Sequence, residues 1–130
     1  MPAPKSTNGM FHINSVVRFR DVTDGTSNTL LVGERSAKSG AGIWPGVRRN
    51  EFASDQVTDC SSGNEINSGY SSFSSYHGGG AHFVIADGSV RFLSENIDSK
   101  AGTVMKGKFK GVGVFQALSS RNGGEIVRGF

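Results

Sequence analysis

The stretch SSYHGGGAHFVIADGSVRFL, residues 74–93, holds two of the chain's three histidines, a triple glycine and an Asp-Gly pair. Histidine titrates near neutral pH, and its neutral ring is a common metal ligand. His77 and His82 are therefore the candidate catalytic residues. Either would act as general base on a water bound to a divalent ion, while the ion polarises the carbonyl of an ester or lactone. His77 has the greater reach, because the glycines that follow it let the backbone come close to a ligand. His82 belongs to a strand and serves only what lies over its own face. Asp87 cannot join His82 at one ion, because five strand residues separate them by about 17 Å.

The oxygen donors for such an ion must come from loops. Asp21, Asp24, Asp55 and Asp59 are the candidate metal ligands, with one histidine completing the set. Carboxylates favour a hard cation, so the expected cofactor is Ca2+ or none. Asp87 and Gly88 have a purely structural reading that competes with any reactive one. Asp-Gly between two β-rich runs is the strongest short signal for a hairpin with a two-residue turn. Asp87 then tolerates the left-handed first position and Gly88 supplies a positive φ.

Other motifs are excluded on their chemistry. GTVMKGKF (residues 102–109) nearly matches a phosphate-binding loop, but Phe109 stands where Ser or Thr must hold magnesium. GTSNT (residues 25–29) begins like a serine-hydrolase elbow, but Thr29 replaces the second glycine. The acidic residues lack the spacing of a helix–loop–helix calcium site, and there is no H-E-x-x-H zinc pattern. Cys60 is the only cysteine, so an intrachain disulfide is excluded. A catalytic thiol there would need His77 or His82 as partner.

The elements that position these residues are mostly strands. SVVRFRD (Ser15–Asp21) alternates and predicts a half-buried strand. TLLVGER (Thr29–Arg35) predicts a more buried one, after a turn centred on Asp24-Gly25. IWPGV is a short extended piece. Arg48 to Ser75 is a polar excursion anchored by Phe52, Val57, Ile66, Tyr70 and Phe73. In the hairpin, a two-residue turn sets Ile85 opposite Val90, Phe83 opposite Phe92 and His82 opposite Leu93. Phe83, Ile85, Val90 and Phe92 would then share one apolar face. KGKFKGVGVF predicts a strand with Lys106, Lys108 and Lys110 on one face, a guard for an exposed edge. VFQALSSRNGG (residues 114–124) predicts a short helix stopped by glycine, and EIVRGF a last strand.

The composition bounds the whole. With 130 residues and nine Phe, the chain supports one core. Glycine, at 19 residues, marks a turn-rich chain. The expected fold class is α+β, mostly β, with an antiparallel sheet and a short C-terminal helix. Residues 1–10 read as a flexible lead-in and residues 11–130 as a single domain. Charge is uneven. Residues 1–95 carry eight Lys/Arg and nine Asp/Glu, and residues 96–130 carry six and two, giving −1 and +4. Without aromatic residues interleaved among the lysines, this basic third reads as a solvated face and not a nucleic-acid site. No apolar run is long enough for a membrane span or a signal peptide, so the sequence as it stands reads as cytoplasmic.

Several of these segments also carry a resemblance. FRDVTDGTSNTLLVGERS, then W-P-G, then SSYHGGGAHFVIADGSVRFLSENID resemble, in order, the C-terminal half of the bacterial pseudopilin-like family called domain of unknown function 1559. Its C-terminal signature is His, nine residues, Asp-Gly, represented here by His77 and Asp87-Gly88. VFQALSSRNGGEIV resembles its closing segment, so the likeness spans about residues 10–130. It implies a type IV pilin-like head domain with an antiparallel sheet, exported or at the cell surface. Its implied partners are further copies of itself or other pilin-like subunits. Members begin with a prepilin leader and a long apolar helix, and this sequence has neither. Some pseudopilins hold calcium in C-terminal loops, which implies the same ion here. The family transfers no catalytic residues. A non-catalytic, secretion- or pilus-associated head domain is thus the first expectation, and a small calcium-dependent ester or lactone hydrolase the second.

Overall fold

The computed structural model describes residues 8–11, 15–39, 60, 63–105, 108–125, 127 and 130. The main sheet has three antiparallel strands, β1 (Leu30–Gly33), β2 (Gly80–Ile85) and β3 (Val90–Ser94), in that spatial order. A second, two-stranded sheet follows, β4 (Thr103–Met105) with β5 (Lys108–Lys110), and then one helix, α1 (Val114–Ser119). The protein is α+β and mostly β, as the alternating patterns predict.

Alternation in β2 sorts its side chains cleanly. Ala81, Phe83 and Ile85 point inward and are buried, whereas His82 and Val84 lie on the outer face and are half-buried. The inner face packs with Leu30, Ile66, Leu93, Phe115 and Leu118 into one core. Phe73, Phe83 and Phe115 meet edge-on at centroid separations of 5.1, 5.9 and 6.5 Å, a geometry that aromatic quadrupoles favour. α1 contributes Phe115, Ala117 and Leu118 as its buried stripe. Of the anchors read in the polar excursion, Ile66 and Phe73 join or flank this core; Tyr70 stays exposed under Arg35, and Phe52 and Val57 lie outside the described residues.

The hairpin exists, but with its register one residue away from the predicted one. Val84 pairs with Val90, Phe83 with Arg91, His82 with Phe92 and Ala81 with Leu93. The turn is the cause. The Gly88 N–H donates to the Ile85 carbonyl at 2.9 Å and the Ile85 N–H to the Ser89 carbonyl at 2.8 Å, which leaves three residues in the loop. Gly88 takes the positive φ of 89°, and Asp87 does not share it. A type I turn with a glycine bulge has this pattern. The Asp87 carboxylate favours it, because Oδ1 accepts both the Ser89 N–H at 2.9 Å and the Ser89 hydroxyl at 2.7 Å. One residue of slip exchanges the faces of β3. Leu93 enters the core, while Val90 and Phe92, expected inside, stand 63% and 46% exposed.

Other expectations are corrected by local hydrogen bonding. Ser15–Asp21 is not a strand. It ends in a 3-10 turn at Phe19–Asp21, where Asp21 Oδ2 accepts the Arg18 N–H at 2.9 Å and the Asp21 N–H reaches the Arg18 carbonyl at 2.8 Å. A short polar side chain that satisfies nearby backbone in this way competes with strand pairing. The lysine segment is not one continuous strand either. Lys108 and Lys110 lie in β5 opposite Met105 and Thr103, and Lys106 lies outside the described residues. The pairing gives these short strands backbone partners that a lone strand would lack. The helix stops at Ser119 with Ser120 as its C-cap, well before the glycines at 123 and 124. Among the described residues of the tail beyond it there is no strand. Asn8 and Gly9, read as part of a loose lead-in, are held by Arg121. Its backbone N–H donates to Asn8 at 2.9 Å and its guanidinium donates to the Gly9 carbonyl. IWPGV lies outside the described residues.

Candidate functional site

The site begins with a residue the sequence reading passed over. Glu34 follows the last residue of β1, opposite His82 of β2. Its backbone continues the ladder, with the Glu34 N–H donating to the His82 carbonyl at 3.0 Å. On the other side, the Ser74 N–H donates to the Glu34 carbonyl at 2.9 Å, so this residue joins two segments of chain. The side chain then turns back over the outer face. Glu34 Oε2 accepts the His82 backbone N–H at 2.6 Å and lies 3.3 Å from His82 Nδ1. Glu34 Oε1 lies 3.3 Å from His77 Nε2.

His77 reaches this carboxylate from a short, internally braced loop. Ser75 Oγ accepts the His77 N–H at 3.0 Å and donates to the Gly80 carbonyl at 2.6 Å. The Ser75 N–H in turn donates to Asn67 Oδ1 at 3.0 Å, and Asn67 Nδ2 donates to Glu95 at 2.8 Å. The loop can enter β2 this closely because Gly80 has no side chain. A Cβ there would run into the Leu93 carbonyl oxygen and the Phe92 ring.

The two histidine rings meet edge-on at 5.0 Å, and the Phe92 ring meets His82 at 5.1 Å from the other side. Glu34, His77 and His82 are between about one third and just over one half exposed. The cluster is thus a surface site with an aromatic wall. The Glu34 carboxyl is held below the usual carboxylate range, first by the hydrogen bond from the His82 backbone N–H and then by the two histidine rings, against some loss of hydration. One ligand atom from each of the three residues lies within 4.8 Å of the other two. Among the described residues they are the one such group of three or more His, Cys, Asp or Glu.

The predicted site residues therefore divide. His77 and His82 come together, and the partner that joins them is Glu34. Asp21 and Asp24 do not join them. Asp21 closes the 3-10 turn already described, and Asp24 accepts the N–H groups of Gly123 and Gly124 at 2.7 and 2.9 Å. Both carboxylates thus hold backbone in place, and neither belongs to a three-ligand group among the described residues. Asp55 and Asp59 lie outside the described residues. Asp87 stands at the hairpin tip as a turn residue, with its carboxyl held below the ordinary range by Ser89. Cys60 is half-buried against the core, where its carbonyl accepts Gln116 Nε2 at 2.9 Å.

Glu34 has a weak local signal: a charge directly after an apolar run that enters the sheet. Its role depends on β1 pairing with β2, and the pairing partners are 48 positions apart.

A second surface feature lies along the N-terminal segment. Met10, Phe11, Val16, Val17, Phe19 and Leu31 line an open apolar groove. Phe11, Val16 and Phe19 are 62%, 78% and 74% exposed. No helix among the described residues is long and apolar enough to cross a membrane.

No curated protein matches this chain, and no solved structure matches it. One family model does match, over residues 2–100 of the 130, a span that takes in β1, β2, β3, Glu34 and both clustered histidines. The chain belongs to the family described as Protein of unknown function (DUF1559).

Proposed function

We propose that this chain is a non-catalytic structural head domain of the pilin-like kind, associated with secretion or pilus assembly. Membership of the DUF1559 family and the mostly antiparallel architecture support it. The observation that carries it is the apolar groove of the N-terminal segment. Three large apolar side chains on one short segment, each more than half exposed, are a liability in a free-standing monomer and an asset at a subunit interface. The partner is a further copy of this chain or another pilin-like subunit seated on Phe11, Val16 and Phe19.

A second reading has its own observation. His77 and His82 converge on one carboxylate, an arrangement that a metal-dependent ester or lactone hydrolase would use for its ion and its base.

Sedimentation of the parent over a range of concentrations, beside the triple variant Phe11→Ser, Val16→Ser and Phe19→Ser, tests the first reading. Self-association that the variant loses supports it. An ester and lactone panel, with and without chelator, tests the second. Turnover abolished by chelation and by His77→Ala would replace the structural role with the hydrolase.

A further inference from the structure

We infer that Glu34, His77 and His82 form a binding site for a late first-row divalent cation of the zinc class. The inference is independent of the head-domain reading, because an ion that is bound without turnover of a substrate leaves that reading intact.

Geometry supports a single shared ion. Ligands at 2.0–2.1 Å from zinc on a tetrahedron are about 3.4 Å apart. Glu34 Oε1 lies 3.3 Å from His77 Nε2 and Glu34 Oε2 lies 3.3 Å from His82 Nδ1, and one ligand atom of each residue lies within 4.8 Å of the other two. Side chains this exposed close the remaining gap by small rotations. The ligands come from the end of β1, from the loop before β2 and from β2 itself, so an ion would tie three segments at one point.

The surroundings organise the ligands. The His82 backbone N–H holds Glu34 Oε2 at 2.6 Å, which orients Oε1 toward His77. Ser75 fixes the backbone of His77, and Phe92 walls off one edge of the His82 ring. Supporting hydrogen bonds of this kind are what hold metal ligands in position.

The donor set selects the metal. Two imidazole nitrogens and one carboxylate oxygen suit zinc and its first-row neighbours. Calcium takes six to eight oxygens, which this set does not offer. Three protein ligands also leave a tetrahedral ion one open position, available to water or to a donor from outside.

The test uses the full chain, free of any polyhistidine tag and stripped by chelator. Calorimetric titration with zinc chloride near pH 7.5, with calcium chloride in parallel, should show one zinc per chain. Zinc should bind at least about 100-fold more tightly than calcium. His77→Ala, on an exposed loop, and Glu34→Gln should each weaken zinc binding by at least about 10-fold, with unchanged far-ultraviolet circular dichroism. Nitrogen-detected imidazole spectra should show zinc shifting His77 and His82 and leaving His12 in place. Undiminished affinity in the His77→Ala variant would overturn the assignment. So would zinc shifts centred on His12, calcium displacing zinc one for one, or a parent that binds no zinc at micromolar concentrations.

Discussion

Glu34 Oε2 accepts the backbone N–H of His82 at 2.6 Å, so a side-chain carboxylate completes a ladder that a main-chain carbonyl would ordinarily complete. The same carboxylate faces both histidine rings. One residue thereby links the pairing of β1 with β2 to the chemistry on the outer face.

That link makes Glu34→Ala a test of the strand end. Alanine leaves the His82 N–H without its partner and should cost about 1 kcal/mol, the low end for a lost hydrogen bond because water can reach the site. Glu34→Gln keeps an acceptor oxygen and should recover most of the loss. Urea unfolding of both variants measures the difference. Equal losses would show that the charge, and not the hydrogen bond to His82, is what matters.

Phe83 and Phe92 separate the observed register from the one the sequence predicts. Phe83 is buried in the core, whereas Phe92 is 46% exposed on the outer face. Phe83→Ala should therefore cost about 3–5 kcal/mol and Phe92→Ala about 1 kcal/mol. Similar large costs in thermal or urea melts would restore the register in which both rings share the core.

Gly80 and Gly88 are needed for different reasons. At Gly80 a methyl group meets the Leu93 carbonyl, and backbone cannot step aside, so Gly80→Ala should destabilise by more than about 2 kcal/mol. Gly88 has open space around it but a φ of 89°, so Gly88→Val should cost more than about 1 kcal/mol through conformation alone. Chemical denaturation checks both, and Gly80→Ala as stable as the parent would mean that the loop does not enter β2 as described.

Asp87 predicts a pH effect with a definite sign. Its carboxyl is held below the ordinary 3.8 by the Ser89 hydroxyl and N–H, so ionisation is favoured in the folded state. The stabilisation is complete above that ordinary value and is lost as pH falls through the lowered folded one. Asp87→Asn keeps the acceptor oxygen and should be only slightly less stable at pH 7. The small gap between parent and variant should then close across the acid range, as pH falls below 3.8. Melting curves that stay equally far apart across that range would remove the charge from the account of the turn.

Local chemistry made much of this protein legible from the sequence. The β-rich run AHFVIA before Asp-Gly marks β2. Asp-Gly marks a reversal at residues 87–88, Leu30 to Gly33 reads as a strand, and the apolar spacing of VFQALS places a helix. Each signal depends on residues a few positions apart, which is the range over which backbone geometry and side-chain period act. His77 and His82 stand out as candidate site residues for a similarly local reason, the type of side chain and the glycines beside one of them.

Tertiary structure decided the rest. The three-residue hairpin loop is held from outside by the Thr29 and Thr26 carbonyls, which accept the Ala86 and Asp87 N–H groups at 2.8 and 3.1 Å, and period-two geometry carries its extra residue into every side chain of β3, exchanging Phe92 for Leu93 in the core. Asp24 accepts the N–H groups of two glycines 99 and 100 positions away, a contact that no local pattern announces. Glu34 gained its role only when β1 paired with β2. No short window of sequence contains both Glu34 and His82, because the free energy that joins them comes from burying Leu30, Phe83 and Ile85 on the opposite face of the same sheet.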